Sequence, residues 1–147
     1  MIARFGEVPK TGKKYIRRPG VYAVLERDGE ILLTYQDAPH REFQLPGGGI
    51  DPGEHPIAAL HREVYEETGW RISTPRRLGA FRRFTFMPEY DLWAEKMCAV
   101  YVARPVAKIG PPIEPDHSAH FVAASDAPAL IDNAGDRHFL VNALGLR

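Results

Sequence analysis

A glycine-rich loop that leads into an amphipathic helix is the feature that most constrains how this chain can fold. Residues 46–49 read Pro-Gly-Gly-Gly, which stops regular structure and leaves a tight loop with an exposed backbone. Over residues 56–68 apolar side chains recur at spacings of three and four. Pro56 suits the first helical position, and Gly69 suits the residue just past the end. The sequence therefore predicts a loop followed by a helix that packs one face against a core.

The rest of the chain mixes strands and helices. Residues 21–35 are predicted to form a β-hairpin around the turn signal Asp28-Gly29. Further strands are predicted over 78–86, 93–106 and 121–123, with a turn over 87–91, a loop over 109–117 and a final helix over 136–146. Because no internal repeat or break in composition is visible, residues 1–147 are expected to form a single domain of the α/β or α+β class.

The charge balance limits the partners that the chain can attract. Nineteen basic and nineteen acidic residues cancel, so no overall field draws the protein to nucleic acid or to an anionic membrane. An anionic ligand must therefore be held by a local site. Residues 1–18 suit a solvated basic arm or edge strand, with contact to phosphates as the alternative. The basic residues of this segment are Lys10, Lys13, Lys14, Arg17 and Arg18.

No segment of the sequence has the pattern of a targeting or membrane element. The amino terminus lacks the apolar core of a signal peptide, and no apolar run approaches the roughly 18 residues of a membrane helix. We therefore expect a cytoplasmic protein. The single cysteine, Cys98, excludes an internal disulfide framework, and its apolar neighbours favour a buried structural thiol over a reactive one.

Three carboxylates are expected to project from one side of the predicted helix, because Glu63, Glu66 and Glu67 lie three and four residues apart. Like charges at this spacing repel one another, and the carboxyl end of a helix also disfavours anions. A solvated acidic face partly offset by Arg62 would explain the pattern. The glycine loop just upstream and a fourth acid, Glu54, favour a bound Mg²⁺ or Mn²⁺ instead, because hard cations prefer oxygen ligands.

The loop and the helix carry a resemblance to a known family. Residues 48–70 read GGIDPGEHPIAALHREVYEETGW, which resembles the Nudix box, G-x5-E-x7-R-E-U-x-E-E-x-G-U with U an aliphatic residue. Every fixed position matches; only Trp70 departs from the final aliphatic residue, and it remains apolar. The order of strands and helices is also similar to the Nudix α/β/α sandwich, with a mixed central sheet, a catalytic loop-helix-loop and a C-terminal helix.

The resemblance implies a hydrolase that cleaves a phosphoanhydride bond by attack of water on phosphorus. The substrate would be a small molecule in which a nucleoside diphosphate is linked to another group. Carried over by position, Glu63, Glu66 and Glu67 would bind Mg²⁺, or Mn²⁺, with the main-chain carbonyl of Gly47. Arg62 would hold a carboxylate in place, and Glu54 would brace the loop against the helix.

The general base and the substrate contacts lie partly outside the box. Glu63 is the first candidate for the base, and the loop over 109–117 adds Glu114, Asp116 and His117 as candidates for contact with metal or water. Tyr90, Trp93 and Phe86 are candidates for stacking on a base, although aromatic residues in strands often pack a core instead. His61, on the apolar side of the helix, is expected to be a packing residue.

Two other functions remain compatible with the sequence. One is a non-catalytic Nudix-fold module that senses a nucleotide or binds a protein, although the retained box carboxylates count against it. The other is an RNA 5′-end pyrophosphohydrolase, against which the neutral charge counts modestly. Homodimers are common among soluble enzymes of this size and are an allowed assembly here. The box predicts the reaction and leaves the substrate open.

Overall fold

The computed structural model describes residues 2–38 and 41–145, and it builds a mixed β-sheet between helices. The eight-stranded sheet has the order β1-β7-β8-β2-β3-β10, with β4 paired to β3 and β5 paired to β2. Strands β6 and β9 form a separate pair. The strands are β1 Ala3–Arg4, β2 Ile16–Arg27, β3 Glu30–Gln36, β4 Glu42–Gln44, β5 Gly47–Gly49, β6 Trp70–Ile72, β7 Arg76–Met87, β8 Leu92–Ala103, β9 Pro105–Lys108 and β10 His117–Ala123. The helices are α1 Pro56–Thr68, α2 Ala127–Leu130 and α3 Ala134–Ala143.

Strand β2 is the centre of the sheet. It pairs in parallel with β8 over ten residues, and antiparallel with both β3 and the short β5. The β2–β3 hairpin confirms the prediction for residues 21–35. Its turn residues Asp28 and Gly29 have φ angles of 52° and 80°, as a tight two-residue hairpin turn requires.

Helix α1 has the predicted bounds, and both of its ends are capped. At the start, His55 Nδ1 accepts a hydrogen bond of 3.1 Å from the backbone N–H of Ile57. At the end, Gly69 adopts a left-handed φ of 76°, and its N–H donates to the carbonyl of Tyr65. Glycine is needed at this position because a Cβ there would collide with the backbone carbonyl of Gly110.

Two cores separate the three layers. One core packs α1, through Ala59, Leu60 and Val64, against one face of the sheet. The other packs Leu140 of α3 against Phe81 and further residues of the opposite face. The predicted α/β/α sandwich with a mixed central sheet is therefore confirmed. Within the described residues, none of the helices is long and apolar enough to cross a membrane.

Several local predictions were wrong. The glycine run was predicted to be a loop, but Gly47–Gly49 forms strand β5, because pairing with β2 satisfies its backbone. The predicted strand over 93–106 is divided at Arg104, beyond which β9 turns away to pair with β6. The last helix begins at Ala134, two residues earlier than predicted, since Asn133 caps it. Leu146, the predicted end of that helix, lies outside the described residues.

Candidate active site

Gly47, Glu63 and Glu67 line one open cleft of about 850 Å³, whereas Arg62 and Glu66 are not among its lining residues. Strand β5, the loop before α1 and the carboxyl-terminal half of α1 form one wall, which brings Glu54, Glu63 and Glu67 to the same space as the glycines. The loop before β10 contributes Glu114 and His117 to the lining. The cleft thus joins the predicted box to a loop that lies far from it in sequence.

Arg62 is the centre of the ionic contacts in the site. Its guanidinium donates to both carboxylate oxygens of Glu54, at 2.8 and 2.9 Å, and to the carbonyl of Gly49 at 3.1 Å. Its Nη1 lies 3.0 Å from an oxygen of Glu63 and 3.0 Å from an oxygen of Glu66. The forked bond to Arg62 lowers the pKa of Glu54 to about 2. These contacts tie the loop before the helix to the carboxylate face.

Glu67 is the most deeply placed of the three helix carboxylates. Only 6% of the residue is exposed, and its Oε1 accepts a hydrogen bond of 2.9 Å from the backbone N–H of Gly47. Its other oxygen lies 3.3 Å from Nε2 of His117. Burial raises the pKa of Glu67 well above its ordinary value, and the nearby charges of Glu63 and Glu114 raise it further.

Glu63 faces the backbone of β5 at a position where only glycine fits. A Cβ built on Gly48 would lie 2.5 Å from the carboxylate carbon of Glu63, whereas a Cβ on Gly49 would meet nothing within 4 Å. Burial raises the pKa of Glu63, an effect that the hydrogen bond from Arg62 opposes. Gly48 therefore makes room for a partly desolvated carboxylate.

The donor set of this cluster has the chemistry of a site for a hard divalent cation. Three carboxylates share one face, and one of them is buried without a fixed positive partner, since His117 can be neutral and burial lowers its pKa. Among the described residues, no three His, Cys, Asp or Glu side chains already converge as metal ligands. The guanidinium of Arg62 instead lies between Glu63 and Glu66. These residues fit Mg²⁺ by their oxygen chemistry, and Arg62 partly offsets their charge.

The loop before β10 is held against α1 by its backbone. The N–H groups of Ile113 and Glu114 both donate to the carbonyl of Glu66, at 2.7 and 3.0 Å. This contact brings Glu114 and His117 to the cleft. Asp116 is not among the lining residues; its carbonyl accepts from Asp37.

The aromatic candidates are divided between two places. Tyr90 lines the cleft, with the guanidinium of Arg18 4.6 Å from its ring centre. Trp93 and Phe86 do not line it and pack on each other, with ring centres 5.2 Å apart. The ammonium groups of Lys10 and Lys13 lie over the ring of Trp93, at 4.7 and 4.9 Å. Lys10 and Lys13 of the basic segment thus lie over Trp93, whereas Arg18 lines the cleft, and β1 forms an edge strand.

Further cleft residues were missed at the sequence level. Lys96, Arg83, Asn133 and Asp136 line the end of the cleft near Tyr90. Burial raises the pKa of Asp136 to about 7, although a hydrogen bond from the backbone of Leu45 lowers it in part. These residues come from β7, β8 and the start of α3, so no local pattern in the sequence links them. Only the register of the strands brings them together.

Comparison with known proteins gives relatives that match less than half of the chain and solved structures that match most of it. Over 68 residues the chain is 38% identical to an RNA pyrophosphohydrolase of Pectobacterium atrosepticum, covering 46% of this chain and 38% of that one. Over 58 residues it is 41% identical to diphosphoinositol polyphosphate phosphohydrolase 3-alpha of Mus musculus, covering 40% of this chain and 35% of that one. The matches span little more than a third of each of these curated relatives.

The structural similarity extends over most of the chain. The crystal structure of a MutT NUDIX hydrolase from Burkholderia pseudomallei matches with a TM-score of 0.69 and 26% identity, covering 85% of this chain and 96% of that one. A sequence profile described as the NUDIX domain matches residues 15–143. The resemblance seen in residues 48–70 is thereby confirmed over nearly the whole sequence, and this chain belongs to the NUDIX family.

Proposed function

We propose that this protein is a divalent-metal-dependent hydrolase that cleaves a phosphoanhydride bond in a nucleoside diphosphate linked to another group. The relatives reported above are named as an RNA pyrophosphohydrolase and a diphosphoinositol polyphosphate phosphohydrolase, and the cleft carries carboxylates of the kind that such chemistry needs. The substrate is a small anionic molecule, because the zero net charge of the chain provides no overall field to attract a nucleic acid. The anion must therefore be held by the local site.

The observation that carries the proposal is the placement of Glu67. A buried carboxylate is costly unless a cation or several hydrogen bonds compensate it. Glu67 receives one backbone hydrogen bond and lies near two further acids in the same cleft, Glu63 and Glu114. A divalent cation held by Glu63, Glu66 and Glu67, with the carbonyl of Gly47, would relieve this repulsion.

Each residue of the cluster then has a distinct task. When bound, Mg²⁺ neutralises phosphate oxygens and lowers the pKa of an attached water. Glu63 is partly desolvated, and its carboxylate occupies the space that a side chain at Gly48 would fill. This placement suits it to accept the proton of the attacking water. Arg62 positions Glu63 and Glu66, and Glu54 braces Arg62 through a two-point ion pair.

The loop before β10 supplies secondary candidates. Glu114 and His117 lie in the cleft, so either can orient a water or a phosphate oxygen. Tyr90 offers an exposed ring in the same cleft, where a base or another flat group can stack.

A panel of nucleoside diphosphate derivatives, assayed with Mg²⁺ and with Mn²⁺, tests the proposal through the identity of the products. Glu66→Gln should lower kcat at least about a hundredfold, because it removes a charged ligand that steadies the phosphates. Glu26→Gln, an exposed position on β2 outside the cleft, is the matched control. Full turnover of the Glu66→Gln variant with Mg²⁺ would show that the metal mechanism is wrong.

Two alternatives give different results in the same experiment. A nucleotide-sensing or protein-binding module would bind members of the panel without releasing products. An RNA 5′-end pyrophosphohydrolase would bind single-stranded RNA with an affinity that falls steeply with salt, because phosphate tracking releases counterions.

A further inference from the structure

A row of three cations crosses three neighbouring strands at the end of the cleft near Tyr90. In the sheet register, Lys96 of β8 lies directly opposite Arg18 of β2 on one side and Arg83 of β7 on the other. Directly opposed residues share a face of the sheet, so the three side chains project from the same face. All three line the cleft.

This row is electrostatically unfavourable for the protein alone. Like charges directly opposite each other on neighbouring strands destabilise a sheet, and each of these three side chains is half-buried. Within residues 2–38 and 41–145, none of them forms an ion pair within 4.0 Å. Other arginines of the same sheet are paired: Arg17 and Arg82 both lie within 4.0 Å of Glu95 on the opposite face.

The acids near the row do not balance it. Asp136 is buried beside Arg83 and Lys96 and lowers the repulsion in part. Glu89 is exposed on the turn between β7 and β8 and also lines the cleft. Arg18 contacts the ring of Tyr90 rather than a carboxylate. Next to the row itself, the three cations therefore meet only these two acids among the described residues, and the raised pKa of Asp136 leaves it only partly ionised near neutral pH. The other acids of the cleft, among them Glu63 and Glu67, belong to the carboxylate cluster.

Arginine and lysine side chains also restrict the kind of ligand that fits. Both donate hydrogen bonds and neither accepts one. The edge of a base offers a mixture of donors and acceptors, whereas a phosphate group offers acceptors only, and guanidinium groups match its geometry with paired bonds. The row is therefore suited to a phosphate.

We propose that Arg18, Lys96 and Arg83 bind a further phosphate of the substrate, carried by the group beyond the bond that is cleaved. The inference rests on the proposed function for the cleavage site, because Glu63 and Glu67 line the same cleft. The preferred substrates are therefore small molecules with more phosphate groups than the diphosphate itself. Either a phosphorylated nucleoside or a phosphorylated polyol supplies this chemistry.

Binding can be tested without any hydrolysis. Calorimetric titration in metal-free buffer would use two probes that contain no anhydride bond, adenosine 3′,5′-bisphosphate and inositol hexakisphosphate. At least one should bind, and Lys96→Met and Arg83→Met should each weaken its Kd about tenfold or more, the typical effect of losing a charged hydrogen bond. Lys96→Arg should keep the affinity. Arg77→Met, an exposed position on the same strand as Arg83 but outside the cleft, should change it less than twofold.

The outcomes separate this inference from the proposed function. The probe that binds identifies the nucleotide or the polyol as the source of the phosphate. Failure of both probes to bind, or equal Kd values for Lys96→Met and the wild type, would overturn the phosphate site whether or not the protein hydrolyses anything. Tighter, row-dependent binding of a 5′-phosphorylated oligoribonucleotide would overturn the assignment to small molecules. Intact binding with no hydrolysis of any pyrophosphate compound would instead refute only the proposed reaction.

Turnover provides the second measurement. NADPH and NADH differ by one phosphate, on the adenosine ribose, and both contain a diphosphate. The ratio of their kcat/KM values should favour NADPH in the wild type and fall about tenfold in Lys96→Met, with no change in Arg77→Met. An unchanged ratio in Lys96→Met, for an enzyme that hydrolyses both compounds, would contradict the proposal.

Discussion

Replacement of Gly48 by alanine should disable the cleavage site without unfolding the protein. The φ angle of Gly48 is not in the left-handed region, so alanine causes no backbone strain there. The added methyl group would, however, lie 2.5 Å from both the carboxylate carbon and one oxygen of Glu63. Ordinary van der Waals contact begins at 3.4 Å, so the carboxylate must move by about 0.9 Å.

The size of this movement sets the expected loss of activity. A misplacement of about 1 Å in a catalytic group costs on the order of a hundredfold in rate. We therefore expect kcat/KM of Gly48→Ala to fall about a hundredfold with the best substrate of the nucleotide panel. The free energy of unfolding should change by less than about 1 kcal/mol, because the displaced atoms are the end of a flexible side chain and alanine reduces the entropy of the unfolded chain.

The neighbouring glycine is the matched control. A Cβ on Gly49 meets nothing within 4 Å, so Gly49→Ala should keep kcat/KM within about threefold. Steady-state kinetics with Mg²⁺ measure the activities, and urea unfolding monitored by circular dichroism measures the stabilities. If Gly48→Ala is folded and as active as Gly49→Ala, the carboxylate of Glu63 does not need its observed position, and the role given to it is wrong.

Three further predictions concern stability and reactivity. Because the pKa of Asp136 rises from 3.8 to about 7 on folding, the folded state retains a proton that the unfolded state loses, so stability should fall as pH rises from about 4 to 7. The change is at most about 4 kcal/mol, and pH-dependent urea unfolding should show it in the wild type but not in Asp136→Asn. Gly69→Ala should lower the free energy of unfolding by about 2 kcal/mol or more, because it combines a left-handed φ with a collision at Gly110; an unchanged urea midpoint would contradict this. Burial raises the pKa of Cys98 to about 12, so a thiol reagent at pH 8 should modify it only in denaturant, and rapid labelling of the native protein would show that it is accessible.

Local signals in the sequence were enough to predict the helix of the site. Pro56 and Gly69 mark its ends, and the spacing of its apolar residues sets its buried face. The hairpin at Asp28 and Gly29 was predictable for the same reason, since both turn residues need an unusual backbone conformation. A single sequence therefore predicts the helices and turns whose conformation is determined by residues close to one another along the chain.

Features that depend on pairing between distant segments were not predictable. Gly47–Gly49 has no intrinsic preference for a strand, and it becomes one only because the backbone of β2 lies beside it. The separation of Trp93 from Tyr90 depends on which face of β8 turns toward the cleft. Arg18 is far from Arg83 and Lys96 in sequence, and only the parallel register of β2 with β8 places it opposite Lys96.

If the phosphate site and the cleavage site act on one substrate as proposed, the register of strand β2 fixes the distance between them. The strand carries Arg18 of the cation row and Val21, the residue paired with Gly48. The two Cα positions are three residue steps apart along the extended strand, which corresponds to about 10 Å. Because a paired strand cannot stretch, the distance between the cleaved bond and the further phosphate in the substrate must suit this separation of about 10 Å. Inserting one residue between Arg18 and Val21 would reverse the face on which the arginine lies, so selectivity for length depends here on the count of residues along a single strand.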